Sequence, residues 1–95
     1  MSIPHLLVHD HNDNVGVVVV EGLKAGTSMM AVVTADNSTF EIEAKADIPI
    51  GHKVALKDLE AGDTAMKYGE DIGRFVAKVG RGEHVHVHNL KTKRW

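Results

Sequence analysis

Leu59-Glu60-Ala61-Gly62-Asp63-Thr64-Ala65-Met66-Lys67 reads as a tight turn feeding a strand. An apolar residue is followed by two more residues and then by Gly, which takes φ > 0 without a Cβ penalty. The same phrase recurs as Leu23-Lys24-Ala25-Gly26, Ile48-Pro49-Ile50-Gly51 and Val79-Gly80-Arg81-Gly82. Asp47 and Asp58 directly precede two of these phrases. Each phrase leads into a stretch compatible with a strand, at 27–33, 52–56, 63–67 and 83–88. The spacing between phrases is irregular, which argues against a solenoid. Many short strands punctuated by turns predict an all-β protein, with at most one or two short helical turns.

The remaining chain supports that reading. Val15-Gly16-Val17-Val18-Val19-Val20 is β-branched and nearly all apolar, as a strand buried on both faces would be. Phe40-Glu41-Ile42-Glu43-Ala44 alternates with period two. The polar residues 34–38 between two strands predict a hairpin. Residues 55–59 are compatible with one helical turn. Residues 71–78 have an Ile72, Phe75, Val76 spacing that suits a short helix, but Gly73 disfavours one, and they are read as strand.

The chain has 95 residues and a mass of 10.3 kDa, which allows one small domain over 1–95. An apolar fraction of 43% and a charged fraction of 25% exclude intrinsic disorder. No apolar run approaches the ~20 residues of a membrane helix, so no membrane partner is expected. The start shows no basic segment followed by a long apolar stretch, so no secretory signal is expected, and there is no cysteine. Disulfide scaffolds, zinc ribbons and thiol nucleophiles are therefore excluded, and a cytoplasmic location is expected. A net charge of −2 and four aromatic residues give neither the basic face nor the stacking platforms that nucleic-acid binding needs.

The composition anomaly is seven histidines, in three places: His5, His9 and His11; His52; and His84, His86 and His88. In His84-Val85-His86-Val87-His88 the histidines share one face of a strand. Imidazole is a metal ligand and a general acid or base near neutral pH. Three on one strand face strain around a single ion, whereas two suffice with a ligand from elsewhere. A solvated, histidine-rich strand face is the plain alternative. His9-Asp10-His11-Asn12-Asp13-Asn14 packs imidazoles, carboxylates and amides into a loop before the valine strand, where a polar turn is the alternative. Arg74 is a candidate anion clamp, although a surface ion pair is the commoner use. No phosphate loop, Rossmann fingerprint, nucleophile elbow or His-Glu-x-x-His motif is present.

Four motifs, in order, resemble the amino-terminal domain of the altronate and galactarate dehydratase family. They are Asp13-Asn14-Val15-Gly16-Val17, Gly51-His52-Lys53-Val54-Ala55-Leu56, Lys67-Tyr68-Gly69 with Ile72-Gly73, and Gly82-Glu83-His84-Val85-His86-Val87-His88-Asn89. The resemblance implies a SAF-type β-clip domain. It also implies a lyase acting on a small anionic α-hydroxy acid, which loses its α proton and a β leaving group. The chain ends look most like those of a separately encoded small subunit whose enzyme expels sulfite instead of water, with a larger catalytic (beta) subunit as partner. Carried over onto this sequence, His84, His86 and His52 are implied as catalytic. His11, Asp13, Asn14, Lys53, Arg74 and Asn89 are implied in substrate binding. His84, His86 and His88 are implied as ligands of a divalent metal, expected to be Fe2+. The small subunit of an altronate/galactarate-type sugar-acid dehydratase is the second reading, and a non-catalytic sugar-acid-binding or regulatory module is the third, since SAF-type domains also serve binding roles.

Overall fold

All four phrase-ending glycines lie in the left-handed region, with φ of 90° at Gly26, 86° at Gly51, 97° at Gly62 and 87° at Gly82. The computed structural model describes residues 4–67, 70–86 and 89–91. Among them the regular structure is all strand, with no helix. In chain order the strands are β1 (Leu6–Val8), β2 (Val15–Val18), β3 (Ser28–Val33), β4 (Ser38–Glu43), β5 (Lys53–Ala55), β6 (Thr64–Lys67), β7 (Glu70–Phe75), β8 (His84–Val85) and β9 (Leu90–Lys91). A six-stranded sheet runs β4-β3-β1-β2-β5-β8, and a three-stranded sheet runs β6-β7-β9. The β1–β3 pair is parallel and the other ladders are antiparallel.

The glycine turns work in pairs. Leu23 bridges Ile48, and Leu59 bridges Val79. Asp47 Oδ1 accepts the Ala25 N–H at 2.9 Å, and Asp58 Oδ1 accepts the Arg81 N–H at 2.8 Å. Each aspartate that precedes a phrase therefore caps the turn of the facing phrase. The Ala25 N–H holds the Asp47 carboxyl below its ordinary range. The bridging residues are buried, Leu23 and Ile48 in one apolar cluster and Leu59 and Val79 in another.

The first cluster contains Leu6, Val18, Met29, Ala31, Ile42 and Val54. The second contains Val15, Ala55, Ala65, Phe75 and Val85. Successive residues of β5, Val54 and Ala55, enter different clusters because strand side chains alternate. Asn14 joins the two sheets. Its Nδ2 donates to Thr64 O at 2.8 Å, and its Oδ1 accepts the Met66 N–H at 2.7 Å.

The hairpin at 34–38 forms, with Asn37 at φ 61° and six residue pairs between β3 and β4. β2 stops at Val18, and Val17 is only half-buried, so the valine run is covered on both faces over part of its length. Of residues 71–78, read as strand, 71–75 are strand and 76–78 are not. Ala65 pairs with Gly73 and Met66 with Asp71, so Ile72 is an extra residue in the ladder. That bulge is what gave the segment its helix-like apolar spacing. No helical turn forms at 55–59, where Ala55 ends β5 and Leu59 bridges Val79 instead. The structure adds β1, which the sequence reading did not identify, in the middle of the larger sheet. No helix among the described residues is long and apolar enough to cross a membrane.

Gly82 and Gly26 separate two costs of losing a turn glycine. A Cβ on Gly26 meets nothing within 4 Å, whereas one on Gly82 collides with the Glu43 carbonyl oxygen. Gly26→Ala should therefore cost only the left-handed strain, about 1–2 kcal/mol. Gly82→Ala should cost clearly more, because β4 must move. Urea unfolding of the two variants checks the ranking; equal losses would contradict the collision.

Candidate active site

Two of the four glycine turns deliver histidines to neighbouring strands. Gly51 is followed by His52, and Gly82 by Glu83 and His84. β5 and β8 pair Lys53 with Val85 and Val54 with His84. Continuing that register by one residue sets His52 opposite His86. Their ring centroids are 3.8 Å apart and their planes 14° from parallel. His84 and His86, two residues apart, have ring centroids 6.0 Å apart. Along the diagonal, His52 Nδ1 and His84 Nε2 are 2.7 Å apart in an N–H···N hydrogen bond. The corresponding centroids are 4.9 Å apart and the planes meet at 27°. That separation is close to the N···N distance plus two ring radii, so the nitrogens face each other nearly in one plane. One nitrogen donates and the other accepts, so the two rings share one proton at this contact.

Among the described residues no three His, Asp or Glu side chains are placed to hold a metal ion. Two ligands of one ion aim their lone pairs at a common point, whereas His52 Nδ1 and His84 Nε2 point at each other across one shared proton. As arranged, the described rings do not fit a metal by themselves. His88 lies outside the described residues, as do Tyr68, Gly69 and Trp95.

Asn89 is 8% exposed and is held by backbone on both ends of its amide. Nδ2 donates to His84 O at 2.8 Å, and Oδ1 accepts the His86 N–H at 3.0 Å. A groove of about 400 Å³ beside His84 and Asn89 is lined also by Ala46, Ala77, Lys78 and Glu83. Lys78 was not anticipated. The bridge of its neighbour Val79 to Leu59 and the Val76 N–H bond to Asn89 O help to fix its place, and the glycine phrase that begins at Val79 does not announce those long-range contacts. The cations that were anticipated lie elsewhere. Lys53 alternates with His52 onto the other face of β5. Arg74 sits in the second sheet, opposite Thr64 and Lys91.

The loop of His11, Asp13 and Asn14, expected to bind substrate together with the histidines, is at the other end of β5. Leu56, just past that strand, donates its N–H to Asn14 O, whereas His52 precedes the strand. Asp13 is buried and its Oδ2 accepts the Asp10 N–H at 3.3 Å. Asp13 and His11 line a separate groove of about 340 Å³ with Asp10, Asn12 and Lys57. His11 Nε2 bonds Asp36 Oδ2 at 2.8 Å, and Ser38 Oγ donates to Asp36 Oδ1 at 2.7 Å. The Asp36 carboxylate raises the His11 pKa above its ordinary 6.5. The Ser38 hydroxyl, and then His11, hold the Asp36 carboxyl well below its ordinary 3.8.

The fold and the site define an all-β module that presents a compact imidazole cluster at a sheet edge. The altronate/galactarate dehydratase SAF domain matches residues 4–93, and the chain belongs to that family. It is 54% identical to (2R)-sulfolactate sulfo-lyase subunit alpha of Chromohalobacter salexigens over 95 residues, the whole of both chains. It is 67% identical to the subunit of the same name from Paracoccus pantotrophus over 67 residues, 70% of this chain and all of that one. The altronate dehydratase of Escherichia coli is 40% identical over 80 residues, 84% of this chain but 15% of the enzyme.

The His11–Asp36 pair gives a signed pH expectation. A raised histidine stabilises fully below its unfolded value of 6.5, and the gain is lost as pH rises through the folded pKa. A lowered carboxyl stabilises fully above 3.8, and that gain is lost as pH falls through the folded pKa. The pair therefore contributes most between those two values. Asp36→Asn should bring the His11 titration midpoint back toward 6.5, as read by histidine NMR. An unmoved midpoint would show that the contact is not populated in solution.

Proposed function

We propose that this chain is the small subunit of a two-component lyase that releases sulfite from (2R)-sulfolactate and leaves pyruvate. The observation that carries the reading is the whole-length 54% identity to a sulfo-lyase alpha subunit. The histidine cluster supports it by offering acid–base groups beside an open groove. A companion subunit is implied by the alpha designation of the relatives. The cytoplasm is the proposed location.

The chemistry asks for a base at the α carbon. An imidazole of the His52–His84 pair takes the α proton. The C–H electron pair becomes the new C=C bond, and the electron pair of the C–S bond leaves with sulfite. The enol then takes a proton on its β carbon, gives up the one on its oxygen to sulfite or solvent, and becomes the keto acid. The cluster is suited to the first step because His52 and His84 can pass the proton between them along their N–H···N contact. Lys78, at the groove beside His84, supplies a positive charge for the carboxylate or sulfonate of the substrate. His11, Asp13 and Asn14 stand apart from this groove, so a direct part in substrate binding would need a second contact region. A divalent ion, proposed as Fe2+, would polarise the hydroxy acid and acidify the α C–H. Its ligand set would have to be completed by His88 or by the companion subunit, and no step above is routed through it.

The test is co-expression with the companion subunit, followed by assay of sulfite and pyruvate from (2R)-sulfolactate. Altronate and galactarate are run alongside, with and without Fe2+. Sulfite release should require both chains. His84→Ala and His52→Ala should each lower kcat by about 10²-fold or more if the cluster supplies acid–base catalysis. Keto-acid formation from a sugar acid without sulfite would move the chain to the dehydratase branch of its family. Association of the chains with no activity on any substrate would make it a binding module.

A further inference from the structure

Strand β8 is only two residues long, and its ladder with β5 ends at Val85. The next residue is His86, whose ring lies over His52. Its backbone N–H bonds the Asn89 side chain at 3.0 Å. The other end of the same amide donates to His84 O at 2.8 Å. The Asn89 backbone adds two bonds: its N–H donates to His86 O at 3.1 Å, and its carbonyl accepts the Val76 N–H at 3.0 Å. One buried residue thus grips the main chain on both sides of Val85 and anchors it to the chain after β7.

We propose that Asn89 is the positioning residue of the imidazole cluster. Its amide fixes the backbone of His84 and His86 so that both rings meet His52. This rests on the proposed role of those histidines in elimination and replaces the expected contact between Asn89 and substrate. Stacking and the diagonal N–H···N contact both depend on the placement of His86 and His84 within a fraction of an ångström. A side-chain amide suits the task because it offers a donor and an acceptor in one rigid plane. Asn14 is the internal comparison. It is buried, and its amide also takes one backbone donor and one backbone acceptor, but these join the two sheets through Thr64 and Met66.

The test uses the full chain, first alone and then with its companion subunit. Asn89→Ala should displace the imidazole 15N signals of His52, His84 and His86. Asn14→Ala should lower the unfolding midpoint and leave those signals in place. Asn89→Asp keeps an acceptor for the His86 N–H and loses the donor to His84 O. It should therefore displace His84 and His52 more than His86, and it serves where Asn89→Ala does not fold. In the complex, kcat of the Asn89 variants should fall about 10²-fold, the scale of a small misplacement of reacting groups, with KM little changed. Unmoved imidazole signals in both Asn89 variants, or equal displacement in Asn14→Ala, would overturn the proposal. So would a rise in KM with kcat unchanged, which would return Asn89 to substrate binding. Full activity of His84→Ala beside displaced signals in Asn89→Ala would instead identify the lyase reading of the cluster as the failure, and the positioning role would fall with it.

Discussion

Left-handed backbone at four glycines is the constraint on which the rest of this structure depends. A residue with a Cβ pays strain at φ near 90°, and at Gly82 there is also no room for one. The turns those glycines permit are too short to be stable alone. They hold because they face each other in pairs and exchange a backbone bridge and an aspartate cap. Each pair buries its two bridging side chains in one of the two apolar clusters. The device is therefore local in geometry and long-range in connection, and it lets strands of two to six residues form ladders.

The candidate site follows from where the turns release the chain. His52 and His84 come from different turn pairs, one centred on Leu23 and Ile48 and the other on Leu59 and Val79. They meet because β5 and β8 are adjacent and antiparallel. The face they share also carries Val54, which is fully buried in the first cluster. The opposite face carries Val85, fully buried in the second. The imidazoles thus stand at the edge of a ladder packed on both sides. Such a base keeps backbone motion small, and acid–base groups need that if their contacts are to persist.

Much of this was legible in the sequence, and the part that was not has a common cause. The glycine phrases, the hairpin at 34–38 and the alternation of His84 and His86 are local patterns, and each survives in the fold. Leu6–Val8 escaped notice because three residues between histidines carry no periodicity of their own. The strand exists because β2 and β3 flank it. The segment of β7 was read as strand, but its bulge at Ile72 was not legible, because an extra residue shows only against the partner strand. The choice of cations depended on register. Lys53 neighbours His52 in the chain yet faces away, whereas Lys78, six residues before His84, lines the groove. The loop carrying His11 and Asp13 contains the right chemistry, but pairing between Leu56 and Asn14 fixes it at the far end of β5.

The two buried asparagines show why residue type alone misjudges a polar group in so small a domain. Asn14 and Asn89 stand beside candidate histidine motifs, and an exposed asparagine there would be a natural substrate contact. Burial changes the accounting, since an amide withdrawn from water must find partners inside the protein. In a chain of 95 residues with short strands, the available partners are backbone groups left over along sheet edges and where ladders stop. Thr64 and Met66 present such groups at the seam between the sheets, and His84 and His86 present them where β8 ends. An asparagine at a strand end thus substitutes for a missing strand. At Asn89 the proposed consequence for function is indirect but specific: the same hydrogen bonds that satisfy the backbone hold the main chain of His84 and His86, whose imidazoles meet His52.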